Sequence, residues 1–147
     1  MANTEETVFY SIEKAIKSYR QFAQKNLTGS GFDITIDQGM ILNIIRDHPG
    51  ISQKQIAVKA FKDHASVTRI IENLVGRKIL HRDFHADDRR RFHLSITDLG
   101  LRIIGGMKPV IEANRKKAMA GISAGEIEML KKVLERITDN CLKNNKG

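Results

Sequence analysis

The chain has 147 residues, 41% hydrophobic and 29% charged, which expects a globular fold rather than a disordered chain. No apolar run approaches the roughly 18 residues of a membrane span, and the single cysteine, Cys141, excludes an intrachain disulfide and a thiolate zinc cluster. The formal net charge of +8 implies a polyanionic partner: DNA, RNA or an anionic membrane surface.

The first six residues, Met1 to Glu6, are acidic and polar rather than signal-like. With no disulfide to form, a cytoplasmic protein without a membrane partner is expected. Residues 5–26 space Val8, Phe9, Ile12, Ile16, Tyr19, Phe22 and Ala23 as one face of an amphipathic helix, broken by Gly29-Ser30-Gly31. A second helix is expected from Asp37, carrying Met40, Ile41, Ile44 and Ile45 and ending at His48-Pro49-Gly50. Ser52 is an N-cap for a short helix, Gln53 to Ala60. Asp63 caps a fourth helix, in which Val67, Ile70, Ile71 and Leu74 form one buried stripe that ends near Gly76.

The period then falls to two over Ile79 to Phe84 and again over Arg91 to Ile96, predicting two strands joined by a polar tip. Helical spacing returns from Thr97 to Met119, where Gly105-Gly106 and Pro109 predict a bent or broken helix. After a turn at Gly121 to Gly125, Ser123 and Glu126 have the spacing of a capping box. The last helix carries Ile127, Leu130, Leu134, Ile137 and Cys141, and this stripe predicts a buried structural thiol.

The middle of the chain therefore reads helix, turn, helix, strand, basic tip, strand, the order of a winged helix-turn-helix. Residues 51–97 hold ten Lys and Arg against five acids, and four of the five histidines. Opposite the buried stripe of the fourth helix stand His64, Ser66, Thr68, Arg69 and Asn73, residue types that pair with base edges or phosphates. Ser52, Gln53 and Lys54 start the preceding helix, near phosphates in that geometry. Any solvated helix face is polar, so the hairpin tip weighs more. Arg89, Arg90 and Arg91 crowd like charge onto a narrow turn, where a guanidinium can enter a minor groove and Asp88 can hold one extended.

Other classes fit less well. The chain lacks Gly-x-Gly-x-x-Gly and a Walker-type phosphate loop, so no enzyme and no cofactor are expected. His81, His85 and His93 could meet on the hairpin as metal ligands, but histidines beside arginines more often serve phosphates, and no metal is expected. An RNA reader needs exposed aromatics for stacking; aromatics here are 5% and fall mainly on apolar stripes. A helical adaptor leaves the arginine tip unexplained.

Asp63 to Ile70, followed by Asn73-Leu74 and Ile79-Leu80-His81-Arg82, resembles the recognition helix and first wing strand of MarR-type regulators. Asp88-Arg89-Arg90-Arg91 followed by Leu94 to Gly100 resembles that family's wing signature, an Asp-x-Arg element leading to a Leu-Thr-x-x-Gly step. The resemblance implies a mainly α fold with a small β-hairpin wing. Residues 36–97 would form the winged helix-turn-helix and residues 1–35 and 98–147 a helical dimerisation arm. It implies a homodimer on a pseudo-palindromic duplex operator, with residues 63–77 in the major groove and 85–91 in the minor groove. The function it implies is a sequence-specific transcriptional repressor released by a small ligand or by cysteine oxidation. The alternatives are an activator or an effector-independent architectural protein. Oxidation sensors of this kind resemble one another in a cysteine near the first helix, which this chain lacks. A small aromatic effector is expected where reader meets arm, near Phe22, Met40, Ile44 and Met107. Phe61-Lys62 depart from the pattern, standing where the helix-turn-helix turn often has a glycine and an apolar residue.

Overall fold

The computed structural model describes residues 3–84, 86–88 and 92–145. A single 3-10 turn, Thr4–Glu6, precedes α1, Val8–Gly29, whose first turn is capped by the Thr7 hydroxyl accepting from the Tyr10 N–H. Gly31, at φ +90°, turns the chain after α1, a conformation that costs glycine little. Helix α2 spans Ile36–Asp47 and begins one residue before the expected Asp37. Its cap is Thr35, in a reciprocal capping box with Gln38. Helix α3, Gln53–Ala60, and helix α4, His64–Gly76, start at Ser52 and Asp63, as their sequence predicts. Strands β1, Leu80–Phe84, and β2, Phe92–Ile96, pair antiparallel, with Leu80 opposite Ile96 and Phe84 opposite Phe92. Helices α5, Asp98–Ala118, and α6, Ala124–Asn144, complete the chain. The fold is thus mainly α with a two-stranded wing.

Two expectations need correction. Helix α5 runs unbroken through Gly105-Gly106 and Pro109. Gly106 marks a close packing contact rather than a break, since a Cβ there would lie 2.9 Å from the Phe32 ring. Cys141 is exposed, not buried, and no residue of α6 is buried.

One core gathers Leu27 of α1, Ile41, Leu42 and Ile45 of α2, Ile56 and Ala60 of α3, and Val67, Ile71 and Leu74 of α4. Leu80 and Leu94 of the wing and Ile104 and Met107 of α5 close it. Each fully buried Leu or Ile contributes about 1.5–3 kcal/mol of transfer free energy. Contacts group the chain into residues 1–114 and residues 115–147. In the first unit Val8, Phe9 and Ile16 of α1 are exposed, and in the second Met129, Leu130 and Leu142 of α6 are exposed. No helix among the described residues is long and apolar enough to cross a membrane.

Candidate nucleic-acid interface

Helix α4 presents a polar face because its apolar residues are consumed by the core at 67, 71 and 74. Two hydrogen-bonded chains order that face. In the first, the Asp63 carboxylate accepts from the Ser66 backbone N–H at 2.7 Å and from the Ser66 hydroxyl at 3.1 Å. Arg69 in turn donates Nη2–H to the Ser66 hydroxyl at 3.2 Å. The Ser66 backbone N–H and hydroxyl, helped by the Arg69 charge, hold the Asp63 carboxyl below its usual range. One cap thereby both starts the helix and steers the exposed guanidinium.

The second chain crosses between helices. The Gln53 amide of α3 donates to the Thr68 hydroxyl and lies 3.2 Å from His64 Nε2, while Thr68 donates to the His64 carbonyl at 2.9 Å. Gln53 is therefore tied to the polar face of α4. Ser52 is engaged in its own capping box with Gln55, and Lys54 is exposed. Asn73 accepts from Gln38 at 2.9 Å, which bonds the far half of α4 to α2. Sequence reasoning saw the outward residue types but not these partners, because none of the cross-helix bonds has a fixed spacing.

The turn between α3 and α4 keeps its geometry with Phe61 at φ 56°, a left-handed conformation that costs a non-glycine residue about 1–2 kcal/mol. Its ring is 92% exposed. Lys62 packs inward instead, its Nζ 2.9 Å from Asp37. Asp37 also pairs with Arg20 of α1. Burial raises the Asp37 carboxyl, but hydrogen bonds from Lys62 and Arg20, with their charges, outweigh it and hold the group below its usual range.

The wing is pinned at its base by Thr97. Its hydroxyl faces the Lys78 carbonyl at 2.7 Å and the Ile79 carbonyl at 2.9 Å, and it accepts from the Gly100 N–H at 3.1 Å. Gly100 has no room for a side chain: a Cβ would lie 2.4 Å from the Ile79 oxygen. This gives the Thr97-x-x-Gly100 step its physical meaning. Toward the tip, the Arg82 guanidinium stands 5.0 Å from the Phe92 ring centre, and Phe84 meets Phe92 edge to face. Arg82 was not among the sequence candidates; its alternation with Phe84 on a strand face was the available signal. On the other face His81 contacts Asp83 at 2.8 Å. His85, Arg89, Arg90 and Arg91 lie outside the described residues, so the arginine tip is read from sequence. Among the described residues no group of three His, Cys, Asp or Glu is placed to hold a metal ion.

The MarR family model matches residues 32–91. A curated Thauera aromatica protein, named for transcriptional regulation of the hcr operon, is 28% identical over 83% of this chain and 72% of its own. Over residues 32–91 the chain is similar to the MarR family. Two solved MarR-like structures share the fold. Bordetella bronchiseptica BpsR, whose DNA binding is regulated by 6-hydroxynicotinic acid, has a TM-score of 0.83 at 23% identity, covering 95% of this chain and 98% of that one. Staphylococcus aureus MepR, solved with DNA, has a TM-score of 0.82 at 24% identity, covering 91% and 98%.

All the DNA-facing candidates fall inside the MarR-matched segment. Of the four effector-pocket candidates, Phe22 is exposed, Met40 and Ile44 are half-buried, and Met107 is 1% exposed within the core. A separate surface hollow at the start of α2 is lined by Arg20, Gln24, Lys25 and Asp37 and includes none of the four.

Proposed function

We propose that this protein is a homodimeric, sequence-specific transcriptional regulator of the MarR type that acts in the cytoplasm and binds a pseudo-palindromic duplex, most simply as a repressor. Helix α4 enters the major groove, where His64, Ser66, Thr68 and Arg69 meet base edges. Lys54 and the start of α3 lie at the phosphate backbone, and Asp88 with Arg89, Arg90 and Arg91 form the minor-groove wing. The exposed apolar residues of α1 and α6 supply the surface that a two-fold dimer would cover.

The observation that supports this reading best is the ordered polar face of α4. Arg69 is steered through Ser66 by the helix cap, and Thr68 and His64 are steered by Gln53. Preorganised donors lose little freedom on binding, which favours discrimination over mere charge attraction.

Selection from random duplexes followed by footprinting tests it. The expected product is an inverted repeat with half-site centres about 10–10.5 base pairs apart. Recovery of unrelated sequences, with binding that disappears uniformly at moderate salt, would refute specific readout. Release by a small aromatic effector at the junction of reader and arm belongs to the same proposal. A panel of small aromatic acids that moves neither the melting temperature nor operator affinity would remove that part.

A further inference from the structure

We infer that Asp37 is a positioning residue for DNA binding: its one carboxylate holds Lys62 of the helix-turn-helix turn and Arg20 of α1, and so sets where the recognition helix begins. This rests on the DNA-binding reading above. The turn between α3 and α4 has two residues that could anchor it to the body, Phe61 and Lys62. Phe61 points into solvent at 92% exposure, so its ring anchors nothing. Lys62 has its side chain only 22% exposed, with Nζ 2.9 Å from Asp37. Where an apolar residue would pack, this chain places a cation on a salt link.

The partner of that link is itself fixed. Asp37 lies in the first turn of α2, next to the Thr35 cap. Its second oxygen takes the Arg20 guanidinium from the middle of α1. Three elements therefore converge on one carboxylate: the long first helix, the start of α2, and the turn one residue before the Asp63 cap of α4. The side chains are 41%, 27% and 22% exposed for Arg20, Asp37 and Lys62, so none of the three is fully wet. Links of this exposure add little net stability. Their geometric effect is larger, because base contacts demand placement to about 0.5 Å. Backbone bonds at the turn, from Phe61 N–H to Val58 and from Lys62 N–H to Ala57, run only to α3 and do not register the turn against α1 or α2.

The test uses the full-length protein and the duplex recovered by selection, with a scrambled duplex of equal length as control. Anisotropy titrations over a salt series compare wild type with Asp37→Asn, Lys62→Met, the double variant and Lys62→Arg. Asp37→Asn and Lys62→Met should each weaken binding to the selected duplex roughly three- to tenfold and lower the selected-to-scrambled ratio. The slope of log K against log salt should not change, because neither residue neutralises a phosphate. The double variant should be no worse than the weaker single one, and Lys62→Arg should restore most of the affinity. A merely structural role would lower the melting temperature while leaving the ratio unchanged in the folded protein, and that result overturns the inference. So does tighter binding by Asp37→Asn, which would make Asp37 only a repelling acid. A salt slope reduced by about one unit in Lys62→Met also overturns it, by making Lys62 a phosphate contact. If Asp37→Asn does not fold, Lys62→Met and Lys62→Arg decide by the same criteria. If wild type selects no duplex, the DNA-binding reading itself has failed, an outcome distinct from all of these.

Discussion

Replacing Gly100 with alanine isolates the joint between the wing and the rest of the reader. In an ordinary helix interior glycine to alanine gains about 1 kcal/mol from propensity. Gly100 lies in the first turn of α5, and the Cβ would sit 2.4 Å from the Ile79 carbonyl oxygen and 2.6 Å from Ile96 Cγ2. Carbon and oxygen approach comfortably only at about 3.3 Å, so α5 or the Ile79 backbone must move by about 0.9 Å. Ile96 can rotate away, but the Ile79 carbonyl cannot move without stretching its bonds from the Thr97 N–H, at 3.2 Å, and the Thr97 hydroxyl, at 2.9 Å. Overpacking costs about 1–3 kcal/mol and a weakened hydrogen bond about 1 more, against the gain of about 1. The net is a loss of about 2 kcal/mol, or roughly 4–8 °C in melting temperature for a chain of this size. Gly105→Ala on the same helix is the control, since among the described residues nothing beyond the helix's own nearby backbone lies within 4 Å of a Cβ there, and it should raise stability. Thermal melts followed by circular dichroism, at one protein concentration because the proposed dimerisation would couple to folding, compare the two. A Gly100→Ala protein that melts at or above wild type would refute the steric account of the Thr-x-x-Gly step.

Four further outcomes follow from the reader itself. Arg69→Ala should cost about 1–3 kcal/mol of operator binding if the arginine pairs with a guanine edge, and should relax preference at that base; an unchanged selected-to-scrambled ratio removes Arg69 from the readout. The Asp63 carboxyl is held below its usual value in the folded protein, so its contribution to stability is present above about pH 4 and is lost as pH falls through the lowered folded value. Asp63→Asn keeps a neutral cap, so its melting temperature should trail wild type at pH 6 and converge with it on acidification below pH 4. Arg90→Ala should weaken binding to many sequences and reduce the salt slope by about one unit. Asp88→Ala should also weaken binding if Asp88 supports a wing arginine, and tighter binding by that variant would make Asp88 a plain surface acid.

What was legible in the sequence was what a fixed spacing dictates. Ser52, Asp63 and Ser123 each precede a helix that starts where its cap says, because the capping interaction spans only three residues. The wing strands were legible from alternation, and the wing joint from Thr97 and Gly100, which contact each other across three residues. In α5 the expected break at Gly105-Gly106 and Pro109 does not occur, since the helix runs through all three. Gly106 stands where the Phe32 ring, far away in sequence, leaves no room for a side chain. The buried face of α2 is wider than the expected stripe: Ile41 and Ile45 are buried and Met40 and Ile44 partly so, but Leu42 is fully buried as well. That width depends on which helices close over α2, and spacing alone cannot supply it. The turn at Phe61-Lys62 shows the same limit most sharply. A departure from the MarR pattern was visible in two adjacent residues, but its resolution lay in Asp37 and Arg20, 25 and 42 positions earlier. The left-handed turn was kept by accepting strain at Phe61, and the missing apolar anchor was replaced by a charge whose partner sits on another helix. A sequence can announce that a turn lacks its usual anchor; only the assembled helices show what was put there instead, and that the substitute also reaches the long first helix.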